Sequence, residues 1–183
     1  MMYDLPKSLD VCGVMYEIRS DFRAVLDICA ALSDADLDSY NKAYVCLDIL
    51  YPSFENMPPE HYEEALKKCF WFVNCGAEED NTRKPPKLVD WEQDFQYIVA
   101  PINRVVGTEI RALENFHWWS FIAAYYELGD CTFAQIVRIR DKKAKGKKLD
   151  KTDQEWYKNN RKLVDLKHSY SESEKAILKE WGV

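Results

Sequence analysis

The segment from Phe116 to Leu128, FHWWSFIAAYYEL, is apolar almost all the way round any helix that it forms. A helix without a polar face belongs in the interior of a protein, surrounded by other helices. The chain has 183 residues, which suffices for one domain with a substantial core. We therefore predict that this segment is the central helix of an all-α bundle, and that residues 1–183 form a single domain.

Apolar residues at three-and-four spacing predict further helices before it. Asp21 is the expected N-cap of a helix that runs to about Leu32. The next helix carries one continuous apolar stripe, formed by Leu37, Tyr40, Tyr44, Leu47 and Tyr51. A third helix begins near Pro58 and Pro59 and ends at Gly76.

The second half of the chain predicts several more helices, which gives six to eight in total. One begins after Asp90 and closes at Gly107, and Pro101 in its interior predicts a kink or a split. Thr132 is the expected cap of a shorter helix, and a further helix spans residues 156–166. A last short helix covers residues 171–181 at the terminus.

Three regions differ from this helical pattern. Residues 8–19 alternate around Gly13 and predict a small β-hairpin. Residues 77–89 are polar and carry Pro85 and Pro86, which is typical of a mobile loop between halves of the core. The region 138–183 begins with a basic loop, RIRDKKAKGKKLDK, and continues into the C-terminal helices.

Neither an export signal nor a membrane-spanning run is evident, because no apolar stretch approaches the ~18 residues needed to cross a bilayer. The six cysteines form no CxxC pair, and most lie among apolar residues. We expect a soluble, unexported protein without a membrane partner, whose thiols are reduced and structural.

Charge is distributed unevenly. From Arg138 to Lys167, twelve Lys or Arg stand against five Asp or Glu, a net charge of +7, whereas residues 1–137 carry eleven against twenty-three, a net charge of −12. A basic strip near aromatic residues is able to contact phosphates and stack on bases. No nucleic-acid motif accompanies the strip, and the acidic remainder would repel a polyanion, so we expect no nucleic-acid partner. The asymmetry favours an acidic protein partner or head-to-tail self-association into a homo-oligomer.

Signals of catalysis are sparse. His61 and Glu64 form HxxE instead of the zinc motif HExxH, and an amphipathic helix start explains the pattern. His117 follows Glu114 by three residues and would be a general base if the two paired, but a core histidine with one hydrogen bond is the commoner arrangement. The sequence has no GxSxG, Walker loop or GxGxxG. We therefore predict a protein that is not an enzyme and has no catalytic residue, cofactor, metal or small-molecule substrate.

Aromatic residues are in excess, with 6 Trp, 11 Tyr and 8 Phe making 14% of the chain. Phe70, Trp71 and Phe72 are consecutive, so on a helix at least one of them points away from the main core. Such a side chain suits a protein interface. The alternative, which the sequence leaves open, is that a neighbouring helix or the hairpin covers it.

Several motifs in this order resemble a family of small phage proteins, named for gene product fifteen of a Listeria siphophage and common in phages and prophages of Gram-positive bacteria. The resemblance covers nearly the whole chain. The motifs are Ser20-Asp21-Phe22-Arg23 after the extended opening, Phe70-Trp71-Phe72 closing at Cys75-Gly76, Asp90-Trp91-Glu92-Gln93-Asp94, His117-Trp118-Trp119, and Ile136-Val137-Arg138-Ile139-Arg140 running into the lysines that follow. Cys12-Gly13 occupies the hairpin turn where a more polar pair is usual, which leaves the turn type open.

The resemblance implies a role in tail assembly, because genes of this family lie immediately before the tape-measure gene of siphoviruses. It implies a tail assembly chaperone in the bacterial host cytoplasm that binds the tape-measure protein or another tail protein. The alternative is a minor structural component of the tail. We predict apolar partner contacts at Phe70, Trp71, Phe72, Trp156 and Tyr157. We predict steering charges at Arg138, Arg140, Lys142, Lys143, Lys147 and Lys148.

Overall fold

The computed structural model describes residues 4–77 and 86–167. Within these ranges the chain forms eight α-helices and one two-stranded antiparallel sheet, which confirms the mainly α class with an N-terminal hairpin. The chain divides into two compact units. The first contains described residues 4–77 and Asn115–Trp119, and the second contains 86–114 and Ser120–Lys167. The prediction of a single domain stays a prediction. The mobile loop predicted at 77–89 also stays a prediction, because residues 78–85 lie outside the described ranges.

The hairpin of the first unit pairs β1 (Ser8–Val11) with β2 (Val14–Glu17) and places Leu9 opposite Tyr16. Its two-residue turn, Cys12-Gly13, has positive φ angles of 52° and 79°. These values define a type I′ turn, whose twist matches that of the strands. The Asp10 carboxylate accepts a hydrogen bond from the Gly13 amide at 2.9 Å, which helps to fix the turn.

Three helices complete the first unit. They are α1 (Phe22–Ser33), α2 (Ser39–Leu50) and α3 (Tyr62–Val73), with short 3₁₀ turns at Phe54–Asn56 and Pro59–His61 before α3. Asp21 caps α1 as predicted, because its carboxylate accepts a hydrogen bond from the Arg23 amide. The segment Asn115–Trp119 joins α1 through backbone hydrogen bonds, from Phe22 N to Phe116 O and from Trp118 N to Ser20 O.

The apolar stripe of α2 is buried only toward its C-terminal end. Leu47 and Tyr51 are buried, whereas Tyr40 is 75% exposed and Tyr44 is 48% exposed. The expectation of one core-facing stripe is therefore wrong for the first half of the helix. The acidic segment that leads into α2 offers only the half-buried Leu37 as apolar cover, so nothing in that segment encloses the two tyrosine rings.

The second unit contains the longest helix. Its elements are α4 (Trp91–Val106), the part of α5 (Trp118–Tyr126) that follows Trp119, α6 (Thr132–Ala144), α7 (Lys151–Asn159) and α8 (Arg161–Val164), with a 3₁₀ turn at Ile110–Ala112. Asp90 caps α4 and Gly107, with φ of 80°, closes it, both as predicted. Pro101 lies inside an unbroken α4, so the predicted split is wrong and the kink stays a prediction. Buried residues on both sides of Pro101, Ile98 and Ile102, hold the helix together where one backbone hydrogen bond is missing.

The predicted central helix is shorter and less buried than its sequence indicates. It begins at Trp118 because Phe116 and His117 are extended, with His117 in an isolated bridge to Asp21. Phe121 is fully buried, but Tyr126 is 79% exposed. The helix therefore has a solvent-facing side, which corrects the prediction that it is enclosed all round.

Three further predictions in the second unit need correction. Cys131, whose backbone is extended, caps α6 in place of Thr132, and its Sγ accepts a hydrogen bond from the Ala134 amide at 3.4 Å. Residues 138–144 of the predicted basic loop are helical, since α6 continues to Ala144. The helix predicted over 156–166 is two helices that meet at Asn160. The helix predicted at 171–181 lies outside the described residues.

The six cysteines all lie in the described ranges, and each is a free thiol. Burial raises the pKa of the Cys29 thiol to about 11, and it raises the pKa of Cys69 still further. These thiols therefore stay protonated at neutral pH and pack as small apolar groups. None of the helices in the described ranges is long and apolar enough to span a bilayer.

Candidate partner-binding surfaces

The C-terminal end of α3 brings backbone and indole groups close together. The Gly76 amide donates to the carbonyl of Trp71 at 2.9 Å, and the Cys75 amide donates to that of Phe72 at 3.0 Å. This pattern is a Schellman motif, which satisfies carbonyls at the end of a helix. Gly76 has φ of 82°, and a Cβ at this position would lie 3.3 Å from Cη2 of Trp119. Glycine therefore permits both the backbone turn and the approach of the indole ring.

An indole cluster, defined as Trp71, Phe72 and Trp119, forms beside this turn. The ring of Trp119 stacks on Phe72, with centroids 6.1 Å apart, and meets Trp71 at 5.5 Å. Its Nε1 also donates to the carbonyl of Phe72 at 2.9 Å. The buried indole of Trp118 is satisfied in the same way, since its Nε1 donates to the carbonyl of Val73.

The three consecutive aromatic residues predicted to bind a partner differ in how far they are buried. Phe72 is fully buried, so it offers no surface in this fold and its predicted role is corrected. Phe70 and Trp71 are half-buried and remain candidate contacts. The sequence left open whether a neighbouring helix or the hairpin covers these aromatic residues. Part of the cover comes from the segment that carries Trp119.

His117 is a satisfied core histidine. It is 6% exposed, its Nδ1 accepts a hydrogen bond from the Trp119 amide at 3.1 Å, and its Nε2 therefore carries the proton donated to the carbonyl of Pro6 at 2.9 Å. Burial lowers the pKa of the imidazole. The groups that hold this ring are backbone groups, in place of the Glu114 carboxylate that a general base would use. The other conspicuous histidine, His61, forms a hydrogen bond through Nδ1 with the Tyr16 hydroxyl at 2.9 Å.

The predicted basic steering strip is most clearly wrong at Arg140, whose side chain is buried and paired. Its side chain is 5% exposed and forms an ion pair with Asp94 of α4, which is fully buried. It also donates to the main-chain carbonyls of Leu88, Leu163 and Val164. A guanidinium with this many internal acceptors joins α6 to α4 and α8 and is not available to a partner.

Three more of the predicted basic residues are engaged within the second unit. Arg138 and Lys142 both contact the carboxylate of Asp153, which is 1% exposed and lies on α7. The hydrogen bond to Asp153 raises the pKa of Lys142. Lys143 pairs with Asp165 at 2.5 Å, so its charge also serves the contact between helices.

The remaining predicted residues differ in their availability. Lys147 and Lys148 are exposed, and none of the ion pairs between described residues involves them. Trp156 is half-buried. Tyr157 is also half-buried, with the Lys143 ammonium 4.1 Å from its ring centroid and its hydroxyl donating to Asp165. Lys147 and Lys148 thus have no acidic partner among the described residues, whereas Tyr157 is engaged inside the second unit.

The residues that sequence reasoning missed are Tyr40 and Tyr44. Their spacing resembles that of core positions, and only tertiary structure shows that both side chains are exposed. The signal that could have found them is the acidic character of the segment just before α2, DADLD.

In the described ranges, no group of three or more His, Cys, Asp or Glu side chains is arranged to hold a metal ion.

These features define a mainly α protein with an N-terminal hairpin, whose candidate sites are aromatic and basic surface residues. The family model described as bacteriophage Gp15 protein matches residues 1–166, and the chain belongs to this family. The family predicted from the sequence motifs is therefore confirmed. Comparison with curated proteins and with solved structures gives no match.

Proposed function

We propose that this phage protein is a tail assembly chaperone that acts in the host cytoplasm. It binds the tape-measure protein and keeps it soluble until the tail tube polymerises. Membership of the phage family over residues 1–166 is the observation that supports this role most strongly. We propose no catalytic activity and no cofactor for this protein.

The surface chemistry supports a role in binding another polypeptide. A tape-measure protein is a long, largely helical chain, and its apolar stripes need cover until the tube closes around it. Tyr40 and Tyr44 present exposed aromatic side chains that suit such contacts. Binding must also be reversible, because tube subunits displace the chaperone, and small aromatic patches with screened charges allow this.

Co-expression tests the proposal. The tape-measure gene that accompanies this protein is expressed alone and together with it, and the soluble fraction of the long protein is measured. We expect the tape-measure protein to be insoluble alone and to be soluble and co-purified when the two are expressed together. Equal solubility in both cases would contradict the proposal.

Mass spectrometry of purified particles separates the chaperone from the alternative, a minor structural component of the tail. A chaperone leaves before the tube is complete, so we expect the protein to be absent from finished particles. A fixed copy number in every particle would establish the structural role instead.

A further inference from the structure

We propose that the exposed half of α2 is a docking surface for a basic amphipathic helix of the partner. This α2 surface consists of Tyr40 and Tyr44 with the acidic side chains around them. The identity of the partner as the tape-measure protein rests on the proposed function, whereas the chemistry of the surface follows from the structure.

Ring contacts hold Tyr44 of the α2 surface in place. Tyr44 meets Phe54 edge to face, with centroids 4.8 Å apart and an interplanar angle of 76°. Phe54 is 2% exposed and in turn contacts Tyr62 at 5.0 Å. Tyr44 is therefore anchored to the core on one side and open to solvent on the other, and Tyr40 lies one turn away on the same helical face. An aromatic ring held as that of Tyr44 is loses little conformational entropy when a partner binds.

The stretch of chain that carries and flanks this surface is strongly negative. Residues 33–63 contain seven Asp or Glu and one Lys. All seven carboxylate residues are exposed, and they are Asp34, Asp36, Asp38, Asp48, Glu55, Glu60 and Glu63. Glu63 forms an ion pair with Lys67 of α3 at 2.6 Å, so the field comes mainly from the other six. The one lysine, Lys42, lies on α2 itself. Such a field attracts cationic side chains and repels anionic ones.

The two observations together specify the partner. Exposed tyrosine rings bind apolar side chains, and the acidic surroundings select lysine or arginine beside them. A helix with an apolar stripe flanked by basic residues supplies both from one segment. Because the tyrosines lie one turn apart, the partner's apolar side chains are expected at positions i, i+3 or i+4, and i+7.

Two labelled peptides of the same length test this surface by fluorescence anisotropy. Both are amphipathic helices with an identical leucine stripe, and the polar positions are lysine in one and glutamate in the other. We expect the leucine–lysine peptide to bind and the leucine–glutamate peptide not to bind. The double variant Tyr40→Ser/Tyr44→Ser should weaken binding by about tenfold or more. Tyr126→Ser is the matched control, since it removes an equally exposed tyrosine of α5.

Circular dichroism shows whether each variant is folded, and exposed positions make loss of folding a small risk. Equal binding of the lysine peptide by wild type and the double variant would overturn the proposal, as would equal binding of the two peptides. If the protein alone forms a dimer that the double variant loses, a second copy occupies the surface, and the proposal is also overturned.

The co-expression experiment separates this inference from the proposed function. If wild type and the double variant make the tape-measure protein equally soluble, the α2 surface is wrong and the chaperone role stands. The other outcome is that peptide binding requires the two tyrosines but wild type does not make the tape-measure protein soluble. In that case the α2 surface is a docking site, and its partner is not the tape-measure protein.

Discussion

The guanidinium of Arg140 on α6 and the carboxylate of Asp94 on α4 form a buried bidentate ion pair, with N–O distances of 2.5 and 3.0 Å. The carboxylate also accepts a hydrogen bond from the Asp90 amide at 2.9 Å. Including its bonds to three main-chain carbonyls, each of the nitrogen atoms of the guanidinium has an acceptor. A buried pair this well satisfied offsets its own desolvation and links three helices of the second unit.

Replacing Arg140 by Ala is expected to destabilise the protein by about 3–5 kcal/mol, because Asp94 would remain as an uncompensated buried charge. Arg140→Lys should recover only part of this, since an ammonium cannot reach all the same acceptors. The measurement is urea unfolding followed by far-UV circular dichroism. The double variant Arg140→Met/Asp94→Leu removes both charges and should be more stable than Arg140→Ala. A cost below about 1 kcal/mol for Arg140→Ala would contradict the assigned role.

Lowering the pH is expected to weaken folding through His117. Burial lowers the pKa of this imidazole in the folded protein, so the unfolded chain, with an ordinary pKa of about 6.5, binds a proton first. The free energy of unfolding therefore falls as pH drops through about 6.5, and the loss stops below the lowered pKa of the folded state. Protonation would also remove the acceptor at Nδ1 that the Trp119 amide uses.

Denaturant unfolding between about pH 7.5 and about pH 5.5 tests this, with His117→Gln as the comparison. The variant lacks the titrating group, so its free energy of unfolding should change less over this interval than that of wild type. The same change in both proteins would show that other groups produce the pH dependence.

Gly76→Ala and Gly107→Ala form a matched pair that separates backbone strain from indole packing. The two glycines have nearly equal φ angles, 82° and 80°, so each variant should lose about 1–2 kcal/mol from the left-handed conformation alone. Only at Gly76 does the new methyl group contact Trp71 and Trp119, because nothing lies within 4 Å of a Cβ at Gly107.

We therefore expect a larger loss of stability for Gly76→Ala and a change in near-UV circular dichroism that Gly107→Ala lacks. If both variants lose the same stability and their near-UV spectra do not change, the indole cluster is not tightly packed against position 76.

Cys12→Asn is expected to stabilise the hairpin. Cys12 has φ of 52° in the type I′ turn, and Asn-Gly is the pair that this turn prefers. The gain should be about 0.5–1 kcal/mol. The substitution removes an exposed hydrogen bond from Cys12 Sγ to Glu64, which is of small value in water. Thermal unfolding of the two proteins under reducing conditions measures the difference, and a lower midpoint for Cys12→Asn would contradict it.

Sequence reasoning succeeded where the signal is local. Asp21, Asp90 and Gly107 end helices through atoms two to four positions away, so their spacing already contains the geometry. The hairpin around Gly13 is equally local. Errors begin where a distant segment intervenes, as when Phe116 pairs with α1 and delays the start of α5.

The sequence by itself determined the mainly α class, the hairpin, the caps of α1 and α4 and the phage family, since each depends on short-range pattern or on ordered motifs. Tertiary structure decided which charged and aromatic residues are free. Arg140 is held inside the protein because Asp94, 46 positions away, lies opposite it. Tyr40 is exposed because none of the described segments covers that half of α2. Burial depends on which segments pack against each other, and residue type alone does not specify those contacts.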